Sequence, residues 1–243
     1  MDHGVPVNRL RHSHQTGRAG ARPRVSSSAS PAEPPRIYTD LDPARIRSNL
    51  ERIREQAGPE VEILAATKYV RTEDMGALAE AGVELVGENR LQDLEEKQER
   101  WRKSFTWDFI GNLQSRKVKR ILPLVRLIHS VASDSVLEQL GKHAAAETEV
   151  LVEVNLSGEE GKGGIEPAEL DSFIERCPAS VSGLMTMPPF TEDPEDSRPY
   201  FARLAELAGE RGLERLSMGT SQDWRVAVEE GATIVRLGSV LWA

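Results

Sequence analysis

From residue 37 onward, apolar positions follow two spacings that alternate along the chain. Ile46, Leu50, Ile53 and Ala57 recur every three to four residues behind Asp42-Pro43 and ahead of Gly58. This predicts a helix over 43–57 with Asp42 as its cap, proline at its first position and glycine at its end. A short apolar run over 61–66 follows at once and reads as a buried strand. The same helix-glycine-strand joint returns at Gly82, Gly212 and Gly231, where a residue free to adopt positive φ lets the chain leave a helix and enter a strand. Further strands are predicted over 84–86, 105–110, 126–131, 150–156, 181–185, 215–218 and 233–237. Helices are predicted over 73–81, 89–101, 114–122, 134–147, 167–177, 195–208 and 222–230.

Eight helices alternating with eight strands imply parallel pairing through right-handed crossovers. The expected fold is α/β, a single (β/α)8 TIM-like barrel over 37–243 that begins with the N-terminal helix; the chain's 243 residues fit one such barrel of about 250 residues. An open doubly wound sheet is the alternative.

Composition changes this picture at one end. Residues 1–36 carry six arginines (Arg9, Arg11, Arg18, Arg22, Arg24 and Arg36) against Asp2 and Glu33, hence +4, which leaves −12 on the remainder of a chain whose net charge is −8. With serine runs, several prolines and no apolar stripe, this segment is expected to be a disordered tail; its acid-poor composition also resembles a transit peptide. The acidic body argues against nucleic acid as a partner, since a phosphate backbone requires net positive surface. No apolar run approaches the roughly 18 residues of a membrane span. The single cysteine, Cys177, excludes an internal disulfide and lacks a histidine at ligand spacing, so it reads as a small core residue and no metal site is expected. A soluble cytoplasmic monomer is the expectation.

In a barrel the chemistry gathers at the C-terminal ends of the strands. Lys68 closes the segment Glu62-Ile63-Leu64-Ala65-Ala66-Thr67-Lys68, so an apolar strand delivers one amine to that end, in a chain with seven lysines against 24 arginines. Partial desolvation would favour the neutral amine, which condenses with an aldehyde as no guanidinium can; the plain alternative is a lysine snorkelling from a strand end. The other strand ends present Gly87-Glu88-Asn89, Gly111-Asn112, His129-Ser130, Asn155 and Met185-Thr186. After strands seven and eight come Ser217-Met218-Gly219-Thr220-Ser221 and Gly238-Ser239. Small residues at these two loops expose backbone amides, the composition of a barrel phosphate site. Here too structural alternatives stand: Ser221 can cap the helix from Gln222, and Gly238 can serve only a turn. Asp223 would repel a phosphate if it pointed inward. An amine opposite a phosphate site suggests a ligand with both an aldehyde and a phosphate.

These segments together resemble one family. Ala65-Ala66-Thr67-Lys68, Gly87-Glu88-Asn89, the run from Trp107 to Gln114, His129-Ser130-Val131, Val154-Asn155-Leu156-Ser157 with Lys162 and Gly164, Gly183-Leu184-Met185, the Ser217–Ser221 run and Val235-Arg236-Leu237-Gly238-Ser239 are similar, in order, to the pyridoxal phosphate homeostasis proteins. The resemblance spans residues 37–240. It implies a barrel like the N-terminal domain of alanine racemase, with pyridoxal 5′-phosphate (PLP) held as a Schiff base on Lys68. It further implies that Arg236 faces the pyridine nitrogen and that Asn89 lies near the ring, although Asn89 can equally be a helix N-cap. Lys162, in a glycine-rich loop, could reach the pocket. Three positions depart from the family pattern: Asp108 stands where histidine is usual, Arg90 where an aromatic is common, and Thr220 where a second methionine is expected. A carboxylate inside a barrel is costly unless paired.

The implied function is a carrier or buffer in intracellular PLP homeostasis, able to hand cofactor to apo PLP-dependent enzymes and without turnover of its own. The alternative is a PLP-dependent amino-acid racemase or decarboxylase. A racemase needs a second acid/base, a tyrosine donated by another domain; Tyr69, next to Lys68, is the nearest tyrosine in sequence.

Overall fold

The computed structural model describes residues 1–2, 37–159, 161 and 163–242. The expectation of a disordered tail and the assignment of Lys162 fall outside the described residues. Eight parallel strands close into a barrel in sequence order: β1 (Glu62–Ala66), β2 (Leu85–Glu88), β3 (Thr106–Phe109), β4 (Leu127–Val131), β5 (Glu149–Glu153), β6 (Ser180–Met185), β7 (Arg215–Thr220) and β8 (Ile234–Leu237). The closing seam pairs Leu64 with Arg236 and Ala65 with Leu237. The open-sheet alternative is thereby excluded.

Helix α1 (Pro43–Ala57) is bounded as its signals predict. Asp42 accepts the Ala44 N–H at 2.9 Å, Gly58 ends the helix at φ 85°, and Ile46, Leu50, Ile53 and Ala57 form its buried face. The remaining helices are α2 (Met75–Glu80), α3 (Leu91–Trp101), α4 (Val118–Ile121), α5 (Asp134–His143), α6 (Leu170–Glu175), α7 (Arg198–Gly209), α8 (Trp224–Glu229) and α9 (Ser239–Trp242). Several are shorter than predicted because their first turns are 3₁₀, as at Thr72–Asp74 and Pro167–Glu169. Helix α9 was not foreseen. One turn is too short to show periodicity, and it is held from outside, with Asn49 Nδ2 on α1 donating to Leu241 O at 3.0 Å.

Most of the core lies between the outer faces of the strands and the helices. Inside the barrel, Leu64, Leu85, Leu127, Leu151, Met185 and Ile234 form a separate apolar layer. Charged and polar side chains flank it: Glu62, Glu149 and Arg215 at the N-terminal mouth, and the buried Asp108, His129, Ser217 and Arg236 on the interior. With its interior packed, a barrel of this kind takes its ligand at the C-terminal mouth, among the loops above the strands.

Candidate functional site

A cavity of about 620 Å³ opens at that mouth. Seven of the nine residues expected to bind cofactor line it: Lys68, Asn89, Thr220, Ser221, Arg236, Gly238 and Ser239.

Lys68 reaches the cavity because β1 ends in a turn closed by Val70 N to Thr67 O at 2.8 Å, which buries Thr67 and projects the next side chain outward. Its amine is exposed and stands 5.0 Å from the centre of the Tyr69 ring. The desolvation expected for this amine is therefore not supplied by surrounding protein side chains. Beneath it lies a second lysine that sequence reading passed over. Lys97, on α3, is buried and donates to Thr67 O at 2.8 Å and to Glu88 Oε1, which also accepts from Thr67 Oγ1 at 2.6 Å. Burial pushes the Glu88 carboxyl above the usual carboxylate range, against the opposing charge and hydrogen bond of Lys97. This cluster ties the ends of β1 and β2 to α3 directly below Lys68.

Asn89 does not cap α3: Arg90 occupies that position, without a side-chain capping bond. Its backbone is held by close approach to Gly111, where a Cβ would lie 2.1 Å from the Asn89 carbonyl oxygen. Asn89 Oδ1 is buried and accepts no hydrogen bond from protein. A buried polar atom so stranded costs roughly 1–3 kcal/mol, which marks this wall of the cavity as built for a partner.

The two small-residue loops behave differently from a simple row of open amides. Asp223, mostly buried, accepts Thr220 N at 2.7 Å, Thr220 Oγ1 at 3.0 Å and Ser197 Oγ at 2.9 Å. The Thr220 amide is thus engaged, and the carboxylate is spent on holding its loop. Ser221 does not cap α8. Its Oγ accepts the Gly238 N–H at 2.9 Å and the Val240 N–H at 3.5 Å, so the amide after β8 and one in the first turn of α9 converge on one oxygen. Two expected residues stand back from the cavity. Ser217 points into the barrel, fully buried, and Gly219 turns the chain at φ 88° against α8, where a Cβ would meet that of Ala227 at 2.6 Å.

Arg236 lies almost wholly buried at the base of the site. Its Nη1 donates to Ser217 O at 2.7 Å and to Ser217 Oγ; its Nη2 donates to Thr186 O at 2.9 Å and to Met187 Sδ at 2.8 Å. Burial pushes the guanidinium down to about 10, against the pull of Glu153 and Asp223, so it remains protonated at neutral pH. Asp108, whose burial called for a partner, has two: Arg126 donates to both its oxygens, at 3.1 and 2.8 Å, and His129 Nε2 lies 3.1 Å from Oδ2. Burial alone would raise this carboxyl, but His129 and Arg126 hold it below the usual range. The fully buried His129 is pushed down chiefly by desolvation and by the two nearby guanidiniums.

Sequence reading missed several lining residues. Glu153 ends β5, Met187 and Phe190 belong to the Pro-Pro loop after β6, and Trp242 sits in the unforeseen α9. Among the described residues, the exposed large apolar side chains other than Met1 are Ile37, Tyr69, Met187 and Phe190, and the last three rim this cavity. No group of three or more His, Cys, Asp or Glu side chains among the described residues could hold a metal ion, and none of their helices is long and apolar enough to cross a membrane.

A closed parallel barrel with a lysine after its first strand and small-residue loops after its last two defines a class. The family model described as "Alanine racemase, N-terminal domain" matches residues 41–243, and the chain belongs to that family. Within it, the "Pyridoxal phosphate homeostasis protein" of Aquifex aeolicus (strain VF5) is 40% identical over 216 residues, covering 82% of this chain and 95% of that one. The solved structure of PipY from Synechococcus elongatus PCC7942 with PLP bound superimposes with a TM-score of 0.73 at 30% identity, over 82% of this chain and 100% of PipY. Alanine racemase from Corynebacterium glutamicum shares the fold, with a TM-score of 0.66 at 16% identity over 83% of this chain and 61% of its own.

Proposed function

We propose that this protein binds PLP at the C-terminal mouth of its barrel and serves PLP homeostasis as a carrier without turnover of its own. The observation that carries the reading is the meeting, in one cavity, of an exposed amine, a buried guanidinium and the two small-residue loops at Thr220-Ser221 and Gly238-Ser239. The group supplies an aldehyde, a phosphate and a ring that withdraws electrons. Lys68 is the amine that condenses with the aldehyde, releasing water. The amides of Gly238 and Val240, now donating to Ser221 Oγ, present the geometry a phosphate oxygen requires, and Thr220, Ser221 and Ser239 add hydroxyls beside them. Asn89 Oδ1 gains its missing donor. Arg236 faces the ring nitrogen and donates to it; because a guanidinium does not give up its proton at neutral pH, the ring stays a weak electron sink, which suits storage. PipY, at 30% identity, is solved with PLP bound, and the homeostasis proteins carry that role in their name. Release to apo PLP-dependent enzymes completes the proposal.

The enzymatic alternative, racemase or decarboxylase, has one observation in its favour: Tyr69 borders the cavity next to Lys68. Two measurements decide. Borohydride reduction of PLP-loaded protein followed by peptide mapping is expected to label Lys68; label on another lysine overturns the assignment. Deuterium wash-in at the α-carbon of alanine or serine is expected to be negligible for a carrier, whereas a positioned second acid/base would be worth about 10²–10⁴-fold. Rapid Lys68-dependent exchange would make the protein an enzyme.

A further inference from the structure

The barrel interior holds a run of hydrogen bonds whose direction is set at one end and read at the other. The ionised Asp108 carboxylate can only accept. His129 Nε2, 3.1 Å from Asp108 Oδ2, therefore carries a hydrogen. A neutral imidazole protonated on Nε2 has a bare Nδ1, and Ser217 Oγ lies 2.8 Å from it. The hydroxyl's one hydrogen must point at His129, which leaves its lone pairs for Arg236 Nη1. The Ser217 carbonyl takes the second hydrogen of that nitrogen at 2.7 Å, so both Nη1 hydrogens are committed to one residue and the guanidinium plane is held. Were the imidazole protonated on Nδ1 instead, the hydroxyl hydrogen would turn toward Nη1 and two donors would face each other.

On the other nitrogen, one hydrogen goes to Thr186 O at 2.9 Å, and the Thr186 side chain is itself anchored by Oγ1 donating to Val154 O at 3.0 Å. The second Nη2 hydrogen goes to Met187 Sδ, a weak acceptor on an exposed side chain, and can pass to a ring nitrogen at little cost.

We propose that Asp108, His129 and Ser217 are positioning residues that aim the Arg236 guanidinium at the ring nitrogen of bound PLP, with Asp108 setting the direction of the relay. The inference rests on the PLP reading above, and its test separates the two. The protein is loaded with PLP carrying ¹⁵N in the ring, and the ring nitrogen resonance and the affinity are measured for the unsubstituted chain, Arg236→Lys, Ser217→Ala, Ser217→Thr and Asp108→Leu. In the last, Arg126 keeps Glu62 as a partner. Ser217→Ala and Asp108→Leu are expected to move the resonance in the same direction as Arg236→Lys and to weaken binding about tenfold, the loss of one charge-assisted hydrogen bond, while borohydride still labels Lys68. Ser217→Thr, which restores the hydroxyl, is expected to return both readouts. If Ser217→Ala and Asp108→Leu fold and keep the original resonance and affinity while Arg236→Lys shifts them, the relay is wrong and the PLP reading stands. Failure of Ser217→Thr to restore what Ser217→Ala disturbed also overturns it, since shape and not the hydroxyl would then matter. If even Arg236→Lys leaves the resonance in place, the parent assignment of Arg236 falls. Should Ser217→Ala not fold, the Thr variant and Asp108→Leu decide by the same readouts.

Discussion

The two mouths of this barrel are built from similar side chains put to opposite use. At the N-terminal mouth Glu62 accepts from Arg126 and Arg215, and Arg215 also lies 3.6 Å from Glu149, so the charges pair with one another. At the C-terminal mouth Lys68 stands exposed, Asn89 Oδ1 is buried without a partner, and Tyr69, Met187 and Phe190 present apolar surface. One end pairs its charges within the chain; the other, though its loops are bonded, leaves an amine and a buried amide oxygen for something else. In a parallel barrel this asymmetry separates the stabilising face from the binding face, and here it can be read from hydrogen bonds alone.

The sharpest way to break the contrast is to exchange the fates of two lysines at the binding end. Lys68→Ala is expected to abolish the visible absorbance band of PLP-loaded protein while leaving stability within about 0.5 kcal/mol, as for an exposed position. Lys97→Ala strands the buried Glu88 and is expected to lower unfolding stability by about 3–5 kcal/mol in urea titration. A Lys68→Ala protein that keeps the band, or a Lys97→Ala protein of unchanged stability, would erase the distinction between the two amines.

Removing the phosphate tests the loops of the binding mouth next. Pyridoxal is expected to bind more weakly than PLP by about 3 kcal/mol, two charge-assisted hydrogen bonds at about 1.5 each. Equal affinities in a titration would mean that the convergent amides of Gly238 and Val240 hold only Ser221.

The buried interior joining the two mouths should answer to pH. His129 is depressed in the folded chain, so below the ordinary histidine value of about 6.5 the unfolded state binds a proton there that the folded state does not. Stability contributed by the neutral ring is then present above that pH and lost as pH falls, by up to about 1.4 kcal/mol per pH unit. Urea midpoints between pH 7.5 and 5 should fall for the unsubstituted chain and fall less for His129→Gln.

The smallest effect is expected at the N-terminal mouth. Arg215→Ala removes a half-exposed ion pair of the kind worth up to about 1 kcal/mol and should leave PLP affinity unchanged. A large loss of affinity would show that the stabilising face reaches the site in a way its contacts do not reveal.

Much of the barrel was legible in the chain because helix and strand periods are local properties. Asp42-Pro43 and Gly58 bound α1 at the residues predicted, and each expected strand is present within a few positions. The alternatives left open at the site share one cause: a residue type proposes several partners, and only three-dimensional packing selects among them. Asn89 could equally have capped a helix and is instead a buried acceptor without a protein donor; Ser221 could have capped its own helix and instead accepts the Gly238 amide. Ser217 and Gly219 shared a motif with lining residues, but alternation along a strand turns Ser217 inward and close packing under α8 removes Gly219.

By itself, then, the sequence determined the alternation of elements, their parallel pairing and the strand ends that carry Lys68, Arg236 and the small-residue loops, since these follow from hydrophobic period; that the eight strands close into a barrel rather than lie flat was decided by the tertiary structure. The tertiary structure alone decided which polar groups are already paired. Asp108 is 18 residues from Arg126, 21 from His129 and more than a hundred from Arg236, and their linkage through Ser217 depends on strand register and burial that no local pattern encodes. Inside a low-dielectric barrel a charge without a partner is costly, so the pairing chosen there fixes which donors remain to face a ligand.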